Sequence, residues 1–270
     1  MISNRTAFDT WEALEISPNH VDIWLTNCGA LSEPNLLPDY GYILTDSERQ
    51  QHGRFHFAKD RHRYLVTRLL IRHVLSRYVP IKPQDWRFEA THYGKPFITN
   101  VHPVAQDLSF NISHSDSVVV VAIAHQRSIG IDIEDLSRKA PLEVADHFFS
   151  PYEVRQLRAL PSAQQPRRFF DLWTLKESYI KARGKGLSIP LDQFSFSLDP
   201  QPYLAASFDS GLDEAPQRWA FWQWCPSNIS LAALCVDTGA SSHVPLITVR
   251  ETIPYVSELI TAFEPSRRSR

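Results

Sequence analysis

Apolar and polar positions alternate from Val21 to Leu25, VDIWL, and a period of two predicts a strand that opens the fold. From Thr45 to Val79 the period lengthens. Leu65, Leu69 and Arg72, with Val66, Leu70 and Val74, form an apolar stripe at helical spacing, which predicts one long helical region closed by Pro80 and Pro83. Trp86 to Glu89 reads as a short strand, and Val118 to Ala124, VVVVAIA, as a strand buried on both faces. Between Ile129 and Glu134 alternation returns: Ile129, Ile131 and Ile133 share one face, Asp132 and Glu134 the other. Ser150-Pro151-Tyr152-Glu153 is a capping box with proline at the first helical position. After the loop Pro161 to Pro166 comes a further helix, stopped by a left-handed Gly184. The remainder reads as β-rich: Phe194, Phe196 and Leu198 alternate, as do Ala220, Trp222 and Trp224, and Ile229 to Val236 and Leu246 to Val249 add two strands.

Strand, helix and strand follow one another twice, which divides the chain into two similar halves. The expected boundaries are a variable leader over 1–20 with a short helix around Trp11, halves over 21–125 and 126–265, and a frayed basic tail from Ser266 to Arg270. A Pro- and Asn-containing connection is expected from Glu33 to Tyr40. The 43% hydrophobic and 11% aromatic content belong to a globular chain. A net charge of −2 gives no sign of a nucleic-acid partner, so any basic site must be local. Cys28, Cys225 and Cys235 have neither metal-ligand spacing nor an even count for a disulfide framework; they read as buried small hydrophobes in a reducing compartment. With no signal-peptide pattern and no membrane-spanning run, a cytoplasmic location is expected.

Chemistry concentrates in a few places. Trp173, Glu177, Ile180 and Lys181 share a helix face with large apolar neighbours, and a carboxylate there must be paired, protonated or bound to a metal. The plain alternative is an i,i+4 surface pair between Glu177 and Lys181, contributing about 0.3–0.5 kcal/mol. Asp132 and Glu134 repel one another on their strand; either they form an exposed acidic end, or a cation lies between them, and all-oxygen ligation favours Mg²⁺ or Mn²⁺ over zinc. Arg49, Arg54, Lys59, Arg61, Arg63 and Arg68 make either a solvated basic face or an anion site. Tyr93-Gly94-Lys95-Pro96 is turn chemistry that projects a lysine, and Phe110-Asn111-Ile112-Ser113-His114-Ser115 clusters short polar groups at a strand end.

Taken in order, RFHFAKDRHRYL, YGKP, FNISHS, IGIDIE and WTLKESYIKARGKGLSIPL resemble the Sfp-type 4′-phosphopantetheinyl transferases over roughly Val21 to Leu198. The resemblance implies an α/β (α+β) fold of two similar halves, each a small, mostly antiparallel sheet packed with helices, with the active site at their interface. It implies transfer of phosphopantetheine from coenzyme A to a serine of an apo acyl or peptidyl carrier protein, with Mg²⁺ and with no nucleic-acid or membrane partner, by a monomer. By the same resemblance Asp132, Glu134 and Glu177 bind the metal, Glu177 is also a candidate base, and Lys181 lies on the pyrophosphate. Lys95, Pro96, Ser113 and His114 would contact coenzyme A. At Gln51 the chain departs from a Lys or Arg common in the family, and Arg49 or Arg54 is expected to take over the phosphate contact; Arg63 is also expected among the residues that bind coenzyme A. Two other classes fit the same residues: a catalytically silent module that binds coenzyme A or carriers, and another Mg²⁺-dependent phosphoester enzyme. The loop at Lys185, Leu187 and Ile189 is expected to be exposed and to form a docking edge for the carrier.

Overall fold

The computed structural model describes residues 12–31, 38–239 and 243–269. The reading of a helix around Trp11 falls outside the described residues, as does most of the connection after Glu33. The first half contains β1 (His20–Asn27), α1 (Asp46–Arg54), α2 (Ala58–Tyr78), β2 (Phe88–Ala90), β3 (Pro96–Ile98), α3 (Pro103–Asp107), β4 (Leu108–His114) and β5 (Val118–His125). After it come β6 (Ile129–Asp135), α4 (Leu142–Phe148), α5 (Pro151–Arg158), α6 (Gln165–Arg183), β7 (Phe194–Ser197) and β8 (Tyr203–Phe208). The chain closes with β9 (Trp219–Ser227), β10 (Ser230–Asp237), β11 (Leu246–Ile253), β12 (Ser257–Thr261) and β13 (Arg267–Ser269).

The architecture is mixed α/β with two main sheets. One has the order β12-β11-β1-β5-β4 and the other β6-β10-β9-β13-β8-β7; β2 and β3 form a separate hairpin. Pairing is mostly antiparallel, the exceptions being β1 with β11 and β8 with β13. Alternation decides the layering. Ile23, Val120, Ile131, Trp222 and Leu234 face inward between the sheets and form one core. Opposite faces of the same strands carry Trp24, Val121 and Phe110 toward α2, and Phe221, Ala233 and Cys235 toward α6. The result is helix, sheet, sheet, helix. Burying both faces of β5 and β10 is why their sequences run almost wholly apolar.

Several expectations need correction. The stretch 45–79 is two helices, because the chain turns extended at Phe55 and Phe57. Only α2 has an apolar stripe; α1 buries no side chain, so no core contact holds it collinear with α2. It begins instead at a capping box between Thr45 and Glu48. The first-half hairpin strand runs Phe88–Ala90, not Trp86–Glu89. The tail does not fray: Arg267 is buried, donates to Gln223 Oε1 at 2.7 Å and pairs with Asp171 at 3.3 Å, and so draws β13 between β9 and β8. Residues 246–261, which the sequence assigns to the second half, return to the first sheet as β11 and β12. Among the described residues no helix is long and apolar enough to cross a membrane.

Candidate active site

The site is built where β6 meets α6. Isoleucines 129, 131 and 133 face the inter-sheet core, so Gly130, Asp132 and Glu134 face the helix. Gly130 sets the approach. A β-carbon there would lie 2.0 Å from the Ser178 carbonyl oxygen and 2.3 Å from the Ala182 nitrogen, so only glycine lets this turn of α6 close on the strand. The helix is fixed in rotation by its other face. Lys176 and Glu153 form an ion pair at 2.8 Å, both fully buried, between α6 and the capping-box helix α5. With Lys176 turned inward, Trp173, Glu177, Ile180 and Lys181 line a cavity of about 410 Å³ beside Asp132 and Glu134.

Lys181 Nζ donates to Asp132 Oδ1 at 2.6 Å and to Ser113 Oγ at 2.9 Å. Ser113 in turn donates to Asp132 Oδ1 at 3.0 Å and accepts from the Ile133 N–H at 3.3 Å. One step along, the Ile131 N–H donates to Asn111 Oδ1 at 2.8 Å. These two side chains join the edge of the first sheet, β4, to the edge of the second, β6. Asp132 keeps one loose end: Oδ2 is buried and has no hydrogen-bond partner among the described residues. Burial, with the Asp132 charge beside it, pushes the Glu134 carboxyl up to about 7, although Arg138 and Lys181 pull the other way. Glu177 is raised for the same two reasons, burial first and Asp132 second.

Three carboxylates thus crowd one lysine. Among the described residues no three Asp, Glu, His or Cys side chains close around a point that could hold a metal ion. Lys181 occupies the near side of Asp132 instead. The donors nevertheless fit a hard divalent cation: all are carboxylate oxygens, one buried oxygen lacks a partner, and two carboxyls are raised by burial and by the Asp132 charge beside them.

The remaining expected residues divide. Pro96 lines the cavity, whereas His114 does not; it lies near enough to Lys181 and Asp132 to feel their charges, and its imidazole is held below its usual value by burial, with Arg63 and Lys181 adding to the effect. Arg63 is therefore near, although it is paired with Asp60 at 2.8 Å and Asp116 at 3.1 Å. Arg49 is turned to the start of its own helix, where it binds Asp46 and the Leu44 carbonyl. Arg54 is exposed at the end of α1. Lys95 also lines the cavity, but its ammonium points away, onto backbone carbonyls. Leu187 is exposed at the mouth, whereas Ile189 is buried in the second-half core, contrary to expectation, because its short 3₁₀ turn folds it back under α6. Gly130 and Lys176 have no role in the reading of the sequence, and Asn111 enters it only as one of a cluster of short polar groups. A lone glycine inside a strand is the available signal for the first; nothing local marks Lys176.

Comparison with known proteins places these motifs. A family model described as the 4′-phosphopantetheinyl transferase superfamily matches residues 128–233, and one described as 4′-phosphopantetheinyl transferase, N-terminal, matches residues 39–126. The 4′-phosphopantetheinyl transferase Sfp of Bacillus subtilis is 43% identical over 156 residues, 58% of this chain and 67% of that protein. Another 4′-phosphopantetheinyl transferase from Bacillus subtilis is 38% identical over 62% of this chain and 72% of its own length. The 4′-phosphopantetheinyl transferase HetI of a Nostoc species is 32% identical over 83% of this chain and 90% of its own length.

Proposed function

The chain belongs to the 4′-phosphopantetheinyl transferase superfamily, and on that premise we propose that it moves 4′-phosphopantetheine from coenzyme A onto a serine of an apo acyl or peptidyl carrier protein. The products are the holo carrier and adenosine 3′,5′-bisphosphate. One observation carries the reading: Asp132, Glu134, Glu177 and Lys181, from two elements, converge beside a cavity with an apolar lining.

In this mechanism Asp132, Glu134 and Glu177 would hold Mg²⁺, or Mn²⁺ in its place. Bound there, the ion supplies the positive charge that offsets the pyrophosphate and the charge developing on it. Lys181 donates to pyrophosphate oxygens from one turn beyond Glu177. The carrier serine Oγ forms a bond to the phosphorus that bears the pantetheine, and the bond from that phosphorus to the bridging oxygen breaks. Adenosine 3′,5′-bisphosphate leaves with the electron pair. Glu177 is the group placed to receive the serine proton, and burial among Trp173 and Ile180 favours that role by raising its proton affinity. Ligation pulls in the opposite direction, so Glu177 serves better as base the more of the charge is held by Asp132 and Glu134. His114, within range of the Lys181 and Arg63 charges, complements phosphate together with Arg63, and Leu187 at the mouth is the docking edge for the carrier. The reading also makes the protein a cytoplasmic monomer, working between a first half that takes in residues 21–125 and the returning strands β11 and β12, and a second half built on β6 to β10 and α6.

The test is mass spectrometry of a panel of apo carrier proteins incubated with the enzyme, coenzyme A and Mg²⁺. The expected result is a phosphopantetheine mass on at least one carrier, abolished by a chelator. Binding of coenzyme A with no mass shift on any carrier would identify a silent module. Phosphate released from coenzyme A without a carrier would identify a different phosphoester enzyme.

A further inference from the structure

Lys95 looks from the sequence like a phosphate ligand on a projecting turn. Its surroundings say otherwise. The turn is tightly built: Thr91 N–H donates to the Lys95 carbonyl at 2.9 Å, Lys95 N–H to Thr91 Oγ1 at 3.1 Å, and Gly94 N–H to the Thr91 carbonyl at 2.8 Å, with Gly94 at φ +84°. From this fixed base the side chain runs down to the second half. Its Nζ donates to the Lys181 carbonyl at 2.8 Å, the Ala182 carbonyl at 3.1 Å and the Ile129 carbonyl at 3.2 Å. An ammonium has three N–H donors, and here all three are taken by backbone oxygens.

The acceptors matter as much as the count. Lys181 and Ala182 belong to the last turn of α6, where carbonyls lack partners within the helix and the helix dipole favours a cation. Ile129 begins β6, the strand carrying Asp132. The stem of Lys95 lies directly over the helix stop, since a β-carbon at Gly184 would sit 2.9 Å from Lys95 Cδ. One side chain therefore ties the β2–β3 turn, the end of α6 and the start of β6 together. The cavity lies between these same parts, with Tyr93, Gly94 and Pro96 on one wall and Glu177, Ile180 and Lys181 on the other. Burial lowers the ammonium to about 8.

We infer that Lys95 is a positioning residue: it fastens the hairpin turn to the C-terminal end of the catalytic helix and so fixes the spacing of the cavity walls, without holding a phosphate of the substrate. The kinetic part of its test rests on the proposed transfer reaction; the structural part does not. In Lys95→Met, backbone amide hydrogen exchange should quicken about tenfold across residues 180–188 and 91–96, with the β9 and β10 core unchanged. With coenzyme A and with 3′-dephospho-coenzyme A, the variant should show KM raised about tenfold for both donors, in the same ratio, and kcat lowered less than about threefold. Lys95→Arg, which keeps the charge and donors, should recover most of the exchange protection. Unchanged exchange in Lys95→Met would overturn the inference, and so would a penalty confined to coenzyme A, which would mark a contact with the 3′-phosphate. Should Lys95→Met fail to fold, Lys95→Arg decides: wild-type protection at 180–188 upholds the pin, and its loss rejects it. If the wild-type protein transfers nothing, the exchange result still stands alone, and only the functional reading falls.

Discussion

Helix α6 carries two lysines, Lys176 and Lys181, that meet carboxylates in opposite ways. Lys176 is sealed. Its three donors reach Glu153 at 2.8 Å and the carbonyls of Leu191 and Phe194 at 2.7 and 2.6 Å. Glu153 is equally satisfied, accepting from the Ser150 and Phe196 N–H groups at 3.0 and 2.9 Å. Lys181 is left unfinished. It is 27% exposed, its partner Asp132 has an oxygen with no hydrogen-bond partner among the described residues, and two more carboxyls nearby are raised by burial and by the Asp132 charge. A buried pair whose every donor and acceptor is matched holds elements together and has no capacity for anything else. The pair with unmatched capacity is where a ligand can be bound.

The comparison is sharpened most by Glu177→Gln. Loss of a general base lowers kcat by about 10²–10⁴-fold, while the free energy of unfolding should stay within about 1 kcal/mol of wild type, since a raised, buried carboxylate is being neutralised. Near-normal turnover would remove Glu177 from the site. Next comes Glu153→Ala, which strands the Lys176 charge. Urea unfolding should show a loss of about 3–5 kcal/mol, with turnover per folded molecule little changed. A loss below about 1 kcal/mol would mean that the two pairs do not differ in kind. A smaller effect is expected from Leu187→Asp at the cavity mouth: the carrier KM should rise about tenfold with coenzyme A binding unaltered, measured by steady-state kinetics against calorimetric titration of coenzyme A.

How far the sequence reaches follows from the range of each interaction. Strand β6 and helix α6 were readable because a period of two puts Asp132 beside Glu134, and a period of 3.6 puts Trp173, Glu177 and Lys181 on one face. The left-handed stop at Gly184 and the capping box at Ser150 are equally local and appear as read. What escaped were pairings between distant residues. Nothing around Lys176 announces Glu153, nothing at Lys95 announces the carbonyls of α6, and Arg267 finds Asp171 across the sheet. Lys95 is the instructive case, because a lysine on a turn reads as available until its three acceptors are seen. The break at Phe55 escaped for a related reason: the periodic stripe begins only beyond it, at Leu65, and a charged helix without a buried face can take any direction its capping box sets.

The return of β11 to the side of β1 bears on how the protein is made. His20 to Leu25 pair in parallel with Leu246 to Glu251, and Thr26 Oγ1 donates to the Thr252 carbonyl across the same junction. As the chain leaves the ribosome, β1 can join β5 early but keeps an open edge until residues 246–251 have been synthesised. The first sheet is therefore completed only after β6 to β10 have emerged. A fragment ending at residue 125 would carry β1 with one side unzipped.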